Sequence, residues 1–383
     1  MEQLNVLIFS ASFGAGHVRA AEAIIEALRA KDPNVKITHL DFGAFLSKTF
    51  NSVVKNTYIE LIKHTPRLWG KFYYRTSKIP PDSLFQRFLN GLGRREFVRF
   101  IQVLQPDLVI CTYPTVAGVL AQQRLRGVLN VPLVTVVTDY AVHSQWIHPG
   151  VDHYIVGCED VYKGLVARGI NPQTIHISGI PVSPKFELKL DRRMILQNLT
   201  MNPELPTVLV MGGAYGVLGG AKWICKTLSE AAISLQTIVV CGQDEKLYKA
   251  LDSLVEDCKN PLVRFGFVNN VEELMSAADI IITKAGGLTV SEALTKRLPL
   301  VIFKPIPGQE EENARYLEKI GAGRAADNEE GLEKIIFSLL QHPEAVEQMC
   351  RAAAQAVPGR AAERAVEGIL RLVEERRSAQ RIG

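Results

Sequence analysis

A histidine follows a glycine-containing turn near the start of the chain. Residues 12–17 read SFGAGH and separate a β-branched run at 6–10 from a helical stretch that begins at His17. The N-terminus of a helix carries partial positive charge, which lowers the pKa of an imidazole and keeps it neutral. A neutral histidine that faces a cleft is a good general base, and the alternative is a histidine that caps or packs the helix. The turn lacks the third glycine of a dinucleotide loop, so it gives only weak support for NAD binding.

Two further glycine turns lie in the second half of the chain. Residues 212–216 read GGAYG, and residues 283–292 read TKAGGLTVSE. Glycines let the backbone approach a ligand, and the free N–H groups of the following helix bind anions. Glu292 falls in the second turn of that helix, where it can accept hydrogen bonds from ribose hydroxyls. Residues 304–313, KPIPGQEEEN, add a helix start whose Gln309, Glu310 and Asn313 suit sugar hydroxyls. Each feature alone has a structural alternative (close helix–sheet packing for glycine, a surface charge for glutamate).

The elements that must position these turns alternate along the chain. Short apolar runs are followed by helical stretches, the pattern of a parallel sheet covered on both faces. The chain of 383 residues is long enough for two domains. A Pro/Gly-rich piece at 179–184 divides the series, which predicts an α/β protein with two Rossmann-like doubly wound domains facing a central cleft. We predict a first domain at 1–185, a second domain at 186–360 and a C-terminal helix at 361–383; the family resemblance described below implies that the first is the acceptor and membrane-surface domain and the second the UDP-sugar donor-binding domain. The predicted strands are 6–10, 35–40, 108–112, 133–137, 154–156 and 175–178, then 207–211, 237–241, 262–265, 280–283 and 300–303.

Composition indicates an ordinary water-soluble globular protein. Apolar residues make up 47% and charged residues 22%, and 44 Lys and Arg face 40 Asp and Glu. The six cysteines form no C-x-x-C pair, which favours reduced thiols in a cytosolic protein. We expect no signal peptide and no transmembrane helix, because the longest apolar stretch, 108–121, is too short and is interrupted by polar residues.

One stretch is unusually basic. Residues 47–100, here called the basic aromatic segment, contain eleven Lys and Arg against three Asp and Glu, with aromatic residues interleaved. This mixture suits the interface of an anionic bilayer. A solvated basic face over an aromatic core is the structural alternative, and single-stranded nucleic acid would use the same mixture but has no accompanying binding motif here. We therefore predict no nucleic-acid partner. The residues chosen for the membrane surface are Lys63, Arg67, Trp69, Lys71 and Arg75.

Three histidines raise the question of a metal. His143, His148 and His153 recur every five residues, a spacing that does not stack on one helix face. The segment reads as an irregular loop, so we predict no metal site and no cofactor.

Together these motifs carry a resemblance. The second half resembles the donor domain of UDP-sugar glycosyltransferases of the two-Rossmann (GT-B) architecture, the group that contains the peptidoglycan GlcNAc transferase. The first half, with SFGAGH at 12–17 and TDYAVHSQWIHPGVD at 138–152, resembles the monogalactosyldiacylglycerol synthase and bacterial diacylglycerol glucosyltransferase family. The resemblance spans roughly residues 4–345.

The resemblance implies a role for each motif residue. His17 would deprotonate the acceptor hydroxyl, and Asp139 would orient His17 or the acceptor. The other motif residues would bind the UDP-sugar donor. Val268 would contact uracil and Glu292 the ribose. The diphosphate would be bound by Gly212, Gly213, Gly286, Gly287 and Thr289, and the hexose by Gln309, Glu310 and Asn313. The basic aromatic segment corresponds to the part of family members that meets the membrane.

The implied reaction is inverting and independent of metal. The chain contains no D-x-D motif, so helix N-termini and Lys284 are expected to stabilise the leaving UDP. A hexose would pass from a UDP-sugar to the 3-hydroxyl of diacylglycerol, giving a β-glycosyl diacylglycerol at the cytoplasmic face of the cell membrane, with the enzyme bound peripherally. The alternatives are a GlcNAc transferase with a polyprenyl-linked acceptor, a UDP-sugar epimerase, and a non-catalytic UDP-sugar sensor. A UDP-sugar epimerase needs no basic membrane face, so the basic aromatic segment argues against that alternative. The sequence does not distinguish glucose from galactose as the transferred sugar.

Overall fold

The computed structural model describes residues 3–12, 15–45, 65–80, 83, 86, 91, 93–212, 218–256 and 258–382. The chain divides into two compact units. The first unit comprises Met1–Pro184, Ile306–Gln309 and Arg360–Gly383, and the second comprises Lys185–Pro305 and Glu310–Gly359. The four-residue piece 306–309 is therefore part of the first unit although both its sequence neighbours belong to the second.

The first unit is built on a six-stranded parallel sheet with the strand order β2-β1-β3-β4-β5-β6. Its strands are β1 (Asn5–Ser10), β2 (Lys36–Asp41), β3 (Leu108–Cys111), β4 (Leu133–Val136), β5 (His153–Val156) and β6 (Ile175–Ile177). Its helices up to β6 are α1 (Ala15–Lys31), α2 (Pro66–Thr76), α3 (Arg94–Leu104), α4 (Pro114–Leu125) and α5 (Glu159–Val166). The order reverses at β1, which lies between β2 and β3, and this is the place where open α/β sheets bind ligands.

The second unit has a parallel sheet with the order β12-β11-β10-β7-β8-β9. Its strands are β7 (Thr207–Met211), β8 (Gln236–Val240), β9 (Leu262–Phe265), β10 (Ile280–Thr283), β11 (Leu300–Phe303) and β12 (Gly323–Ala326). Its helices are α6 (Arg192–Asn198), α7 (Ala221–Glu230), α8 (Glu245–Ala250), α9 (Asp252–Glu256), α10 (Val271–Ala277), α11 (Gly287–Thr295), α12 (Gln309–Ile320, whose first residue belongs to the first unit), α13 (Glu329–Gln341) and α14 (Pro343–Ala356). The order reverses between β7 and β10, so the turns after these two strands lie side by side.

The last helix, α15 (Ala361–Ile382), packs on the first unit. Its buried Val366 and Ile369 lie in one apolar cluster with Val6 and Ile8 of β1 and Ile24 of α1. Burial on both faces of the sheet explains why these strands read as continuous apolar runs rather than as alternating ones.

The predicted α/β architecture of two doubly wound sheets is confirmed. All eleven predicted strands are present, and each of their ends lies within one residue of its predicted position. The strand β12 was missed, because its sequence, GRAA, contains no β-branched residue and it pairs only with β11 at the sheet edge.

Candidate active site

The His17 imidazole lies at the carboxyl edge of the first sheet, beside the strand-order reversal. His17 is the third residue of α1 and is half-buried. Its Nδ1 atom is 3.1 Å from the hydroxyl oxygen of Thr138, and the Thr112 hydroxyl donates to its backbone carbonyl over 2.8 Å. Tyr113 meets the ring edge-on, with ring centroids 5.2 Å apart. Residues at the ends of β3 and β4 therefore hold His17 in place.

The surroundings of His17 keep it neutral. Burial lowers the pKa of His17 to about 4, and a hydrogen bond with the Thr112 backbone opposes this change in part. The position of His17 in the first turn of α1 also disfavours the charged form. At neutral pH the ring is therefore unprotonated and able to accept a proton from a substrate group.

Asp139 follows Thr138 at the end of β4 and faces different partners. Its side chain is 8% exposed and accepts hydrogen bonds from Trp146 Nε1, at 3.1 Å, and from Gln309 Nε2. Burial raises the pKa of Asp139 to about 6, although both donated hydrogen bonds lower it. The structure thus brings Asp139 to the same sheet edge as His17, but the imidazole is bonded to Thr138 and not to the carboxylate.

The histidines of the 139–153 segment serve the packing of this region. His148 Nε2 lies 3.2 Å from the Pro114 carbonyl, and the hydroxyl of Tyr154 accepts from its backbone N–H over 2.9 Å. His153 stacks on His176, with ring centroids 6.2 Å apart. Across the described residues, no group of three or more His, Cys, Asp or Glu side chains is arranged to hold a metal ion.

Helix α2 packs on the loop after β4, which contains Trp146, and on the piece 306–309, which ends at Gln309. Proline at the first position of α2 favours the start of the helix there. His143 accepts from the Gln145 backbone N–H through Nδ1, so its Nε2 carries the proton and donates to the Tyr73 carbonyl at 3.3 Å. The Ser144 hydroxyl donates to the Thr76 carbonyl over 2.6 Å.

The same helix face contacts the piece 306–309. A Cβ atom added to Gly70 would lie 2.5 Å from the Pro307 side chain. Gly308 has a φ of +102°, and a Cβ atom there would lie 2.8 Å from the Tyr73 ring. Glycine at these two positions permits the close approach. Helix α2 therefore contacts the residues that precede Trp146 and Gln309, the two donors to Asp139, in the chain.

The opposite face of α2 is open and positively charged. Arg67, Lys71 and Arg75 recur every four residues and are all exposed. Leu68 and Phe72 beside them are 58% and 43% exposed. Of the other predicted membrane residues, Trp69 is half-buried with its ring 5.7 Å from that of Phe72, and Lys63 lies outside the described residues.

In the second unit, the predicted phosphate turns flank the strand-order reversal. Gly212 follows β7, Gly286 follows β10, and these strands are paired; Gly213 lies outside the described residues. Helix α11 begins at Gly287, with the half-buried Thr289 in its first turn. A Cβ atom on Gly286 would meet no atom of the described residues within 4 Å. Packing among the described residues therefore does not require glycine at this position, and the N-terminus of α11 beside it favours anions.

Lys284 and Asn313 lie beside the turn that follows β10 and have different surroundings. Lys284 is half-buried, and burial lowers its pKa while the nearby Glu310 raises it. Asn313 has no exposed surface, and its amide nitrogen donates to the Ala285 carbonyl over 2.9 Å. This bond fixes the turn from behind, and the sugar contact of Asn313 stays a prediction.

The remaining residues predicted to bind the donor are Glu292, Val268, Glu310 and Gln309. Glu292, in the second turn of α11, and Val268, in the loop after β9, are both half-buried. Glu310 is half-buried near Lys284. Gln309 is bonded to Asp139 and belongs to the first unit, and its contact with the hexose stays a prediction.

Comparison with known proteins finds two family matches that together span most of the chain. The monogalactosyldiacylglycerol (MGDG) synthase family matches residues 17–182, and the glycosyltransferase family 28 C-terminal domain matches residues 207–365. A processive diacylglycerol β-glucosyltransferase of Bacillus mycoides is 34% identical over 91% of this chain and 90% of its own. A protein of the same name from Bacillus cereus strain G9842 is 35% identical over 83% of this chain and 81% of its own.

Solved structures share the fold at low sequence identity. MurG of Acinetobacter baumannii superimposes with a TM-score of 0.63 at 17% identity, covering 97% of this chain and 99% of its own. A putative UDP-N-acetylglucosamine 2-epimerase of Listeria monocytogenes gives 0.62 at 15%, covering 97% of both chains. MurG and this putative epimerase superimpose about equally well, so the likeness shows the fold and does not select a reaction.

Proposed function

The chain belongs to the monogalactosyldiacylglycerol synthase and diacylglycerol glucosyltransferase family, and from this premise we propose that it transfers a hexose from a UDP-sugar to diacylglycerol. The product is a β-glycosyl diacylglycerol. The observation that carries the proposal is the relatedness to diacylglycerol β-glucosyltransferases along nine tenths of the chain. The same relatives favour UDP-glucose as the donor, and they favour the transferase over the epimerase and over a polyprenyl-linked acceptor.

We assign the donor to the second unit. The diphosphate lies against Gly212, Gly213 and the start of α11, where Gly286 leaves room for it. The helix N-terminus and Lys284 stabilise the negative charge that develops on the leaving UDP, so no divalent cation is required. Glu292 accepts hydrogen bonds from the ribose hydroxyls, Val268 presents backbone to uracil and Glu310 contacts the hexose.

We assign the acceptor hydroxyl to the first unit, beside His17. The hydroxyl oxygen attacks the anomeric carbon, and the bond from that carbon to the UDP oxygen breaks. The proton passes to the neutral His17 while the bonding electron pair leaves with UDP. A single displacement inverts the configuration, so an α-linked UDP-hexose gives a β-glycoside.

A transfer assay tests the reaction. The protein is incubated with EDTA, diacylglycerol vesicles that contain anionic lipid, and UDP-glucose, UDP-galactose or UDP-GlcNAc in parallel. We expect β-glucosyl diacylglycerol from UDP-glucose, with a rate unchanged by EDTA because helix N–H groups replace the cation. Product on a polyprenyl phosphate acceptor alone, or interconversion of the UDP-sugars without acceptor, would replace the proposal by the corresponding alternative.

We further propose that the protein works peripherally on the cytoplasmic face of an anionic membrane. Across the residues that the structure describes, no helix combines the length and hydropathy that a bilayer crossing requires. The cationic, partly apolar outer face of α2 has the composition of an interfacial helix. The six cysteines form no C-x-x-C pair, which favours reduced thiols in a reducing compartment.

Reversing the charge of this face tests the membrane contact. Each basic residue contributes about 1 kcal/mol near an anionic surface, so Arg67→Glu, Lys71→Glu and Arg75→Glu together should weaken vesicle binding by about 100-fold or more. Co-sedimentation with vesicles containing phosphatidylglycerol measures the change. A control with the same charge change at the exposed Lys189, Lys222 and Lys246 should bind almost as the parent does. Equal losses of vesicle binding in the two triple variants would contradict the proposal, because only the net charge of the protein would then attract it to the membrane.

A further inference from the structure

The first residue of the SFGAGH turn is bonded to the end of the neighbouring strand β2. The parallel ladder of β1 and β2 ends where Ser10 faces Asp41. Beyond that point, the Ser12 hydroxyl donates a hydrogen bond to Oδ2 of Asp41. The other carboxylate oxygen, Oδ1, accepts from the backbone N–H of Gly43 over 2.6 Å. One carboxylate therefore joins the start of the turn to the chain that follows β2.

The residues after Asp41 are packed into an aromatic cluster. The Phe42 ring is nearly parallel to the Phe97 ring of α3, with centroids 5.9 Å apart, and Phe45 stacks on the same ring at 4.4 Å. Phe97 has no exposed surface. Stacked aromatic rings in a buried cluster have little freedom to move, so the backbone that carries Asp41 is held in place by packing.

A second set of contacts leads from the same residues to His17. The Phe42 ring lies 5.5 Å from that of Tyr113, which meets the His17 ring edge-on at 5.2 Å. Burial raises the pKa of Tyr113, a hydrogen bond with Thr115 lowers it, and the negative charge of Asp41 raises it in addition. Residues 41 and 42 are thus connected to His17 both through the turn and through Tyr113.

We propose that Asp41 is a positioning residue for His17, because its bond with Ser12 fixes the turn from which α1 and the imidazole begin. The inference rests on the proposed function in that His17 is taken as the proton acceptor. Asp41 acts through the turn, whereas the partner of His17 Nδ1 is Thr138. A displacement of about 1 Å at a reacting group can cost about 10²-fold in rate, so a bond that fixes the turn has a large effect on transfer.

Ser12→Ala tests this bond with the least disturbance, because Ser12 is exposed and only its hydroxyl is removed. We expect kcat for glycosyl transfer to fall about tenfold or more, since a hydrogen bond to a charged group is lost and the proton acceptor is less well placed. The affinity for UDP should stay that of the parent. Ser12→Thr, which keeps a hydroxyl, should recover most of the rate. Steady-state kinetics with diacylglycerol vesicles and calorimetric titration of UDP measure these effects.

Asp41→Ala shows whether the two residues act as a unit. It should lower kcat at least as much as Ser12→Ala does, and adding Ser12→Ala to it should lower kcat no further. Ser183→Ala is the matched control. The Ser183 hydroxyl donates to Oε2 of Glu26 over 2.7 Å, a bond of the same kind that ends in the middle of α1, and its loss should leave kcat unchanged.

The titration of His17 gives a readout that does not depend on the transfer reaction. Burial lowers the pKa of His17 to about 4, and an imidazole on a displaced turn is better hydrated, so its pKa should rise toward the ordinary value of 6.5. NMR spectra of ¹³C-labelled histidine between about pH 8 and pH 5, with His17→Gln to identify the signal, measure this change. His17 should titrate in this range in Ser12→Ala but not in the parent or in Ser183→Ala.

The two readouts separate this inference from the proposed function. If no UDP-sugar gives glycolipid with the parent but His17 titrates at higher pH in Ser12→Ala, the proposed function fails and the positioning of His17 by Asp41 stands. An unchanged titration of His17 in Ser12→Ala, or a loss of kcat that Ser183→Ala shares to the same degree, would overturn the inference.

Discussion

Replacing His17 with alanine is expected to lower kcat for glycosyl transfer by about 10²–10⁴-fold while UDP affinity stays close to that of the parent. The imidazole is the proposed proton acceptor at the carboxyl edge of the first sheet, and burial lowers its pKa to about 4. The proposed UDP contacts all lie on the second unit, so removal of the ring leaves them intact. Steady-state kinetics with diacylglycerol vesicles, together with calorimetric titration of UDP, measure the two effects separately.

Two variants control this prediction. Glu292→Gln should do the reverse, weakening UDP binding with a smaller effect on kcat, because its assigned contact is to the ribose. Thr138→Val removes the hydroxyl 3.1 Å from His17 Nδ1 and should lower kcat by a smaller factor than loss of the ring itself. Loss of UDP binding in His17→Ala would assign His17 to the donor site or to folding instead.

The strands were predictable because most of them are buried on both faces. Residues 207–211 and 280–283 are fully buried apolar or β-branched runs, and their predicted ends agree with the structure. The turns after such strands could also be placed, since the carboxyl ends of parallel strands meet at one edge. Thus His17 and Asp139 were expected at one edge of the first sheet, and Gly212 and Gly286 at one edge of the second.

The side-chain partners of these residues were not predictable in the same way. Asp139 is bonded to Trp146 in an irregular loop and to Gln309, which is 170 residues away in sequence. No local periodicity relates such positions. Gln309 and Asn313 were predicted together from one helix start, yet Gln309 belongs to the first unit and Asn313 is fully buried beneath the Ala285 turn. Their roles depend on long-range packing, which the spacing of polar residues does not encode.

The basic aromatic segment shows the same limit. Its charge and aromatic content could be read from the sequence, but the division of α2 into two faces could not. Arg67, Lys71 and Arg75 are exposed, as expected of a membrane surface, whereas Tyr73 and Gly70 face Pro307 and Gly308. The mixture of basic and aromatic residues in α2 thus divides between an exposed basic face, for which we propose the membrane contact, and a face that packs on Pro307 and Gly308.

Asp139→Asn is expected to remove the acid limb of the pH–rate profile and to lower kcat about 10–100-fold at neutral pH. The charge-assisted bonds from Trp146 and Gln309 need the ionised carboxylate, and their loss corresponds to about 1.5–3 kcal/mol. In the parent protein, activity should fall as the pH drops through about 6, where Asp139 is protonated, whereas His17 stays neutral down to about pH 4. The Gln309→Ala control removes a hydrogen bond that lowers the pKa of Asp139, so its acid limb should move to higher pH.

The free energy of unfolding should also depend on the protonation of Asp139. The protonated form, which is expected to be less active, should be the more stable one. The folded-state pKa of Asp139 is raised from 3.8 to about 6, so between these values the folded protein holds a proton that the unfolded chain has released. This carboxyl therefore favours folding below pH 3.8, and that contribution, about 3 kcal/mol at most, is lost as the pH rises through 6. Denaturant unfolding at several pH values should show Asp139→Asn gaining stability relative to the parent from pH 4 to pH 7. An acid limb that persists in Asp139→Asn, with no such relative gain, would mean that another group titrates near pH 6 and that Asp139 carries no charge needed for transfer.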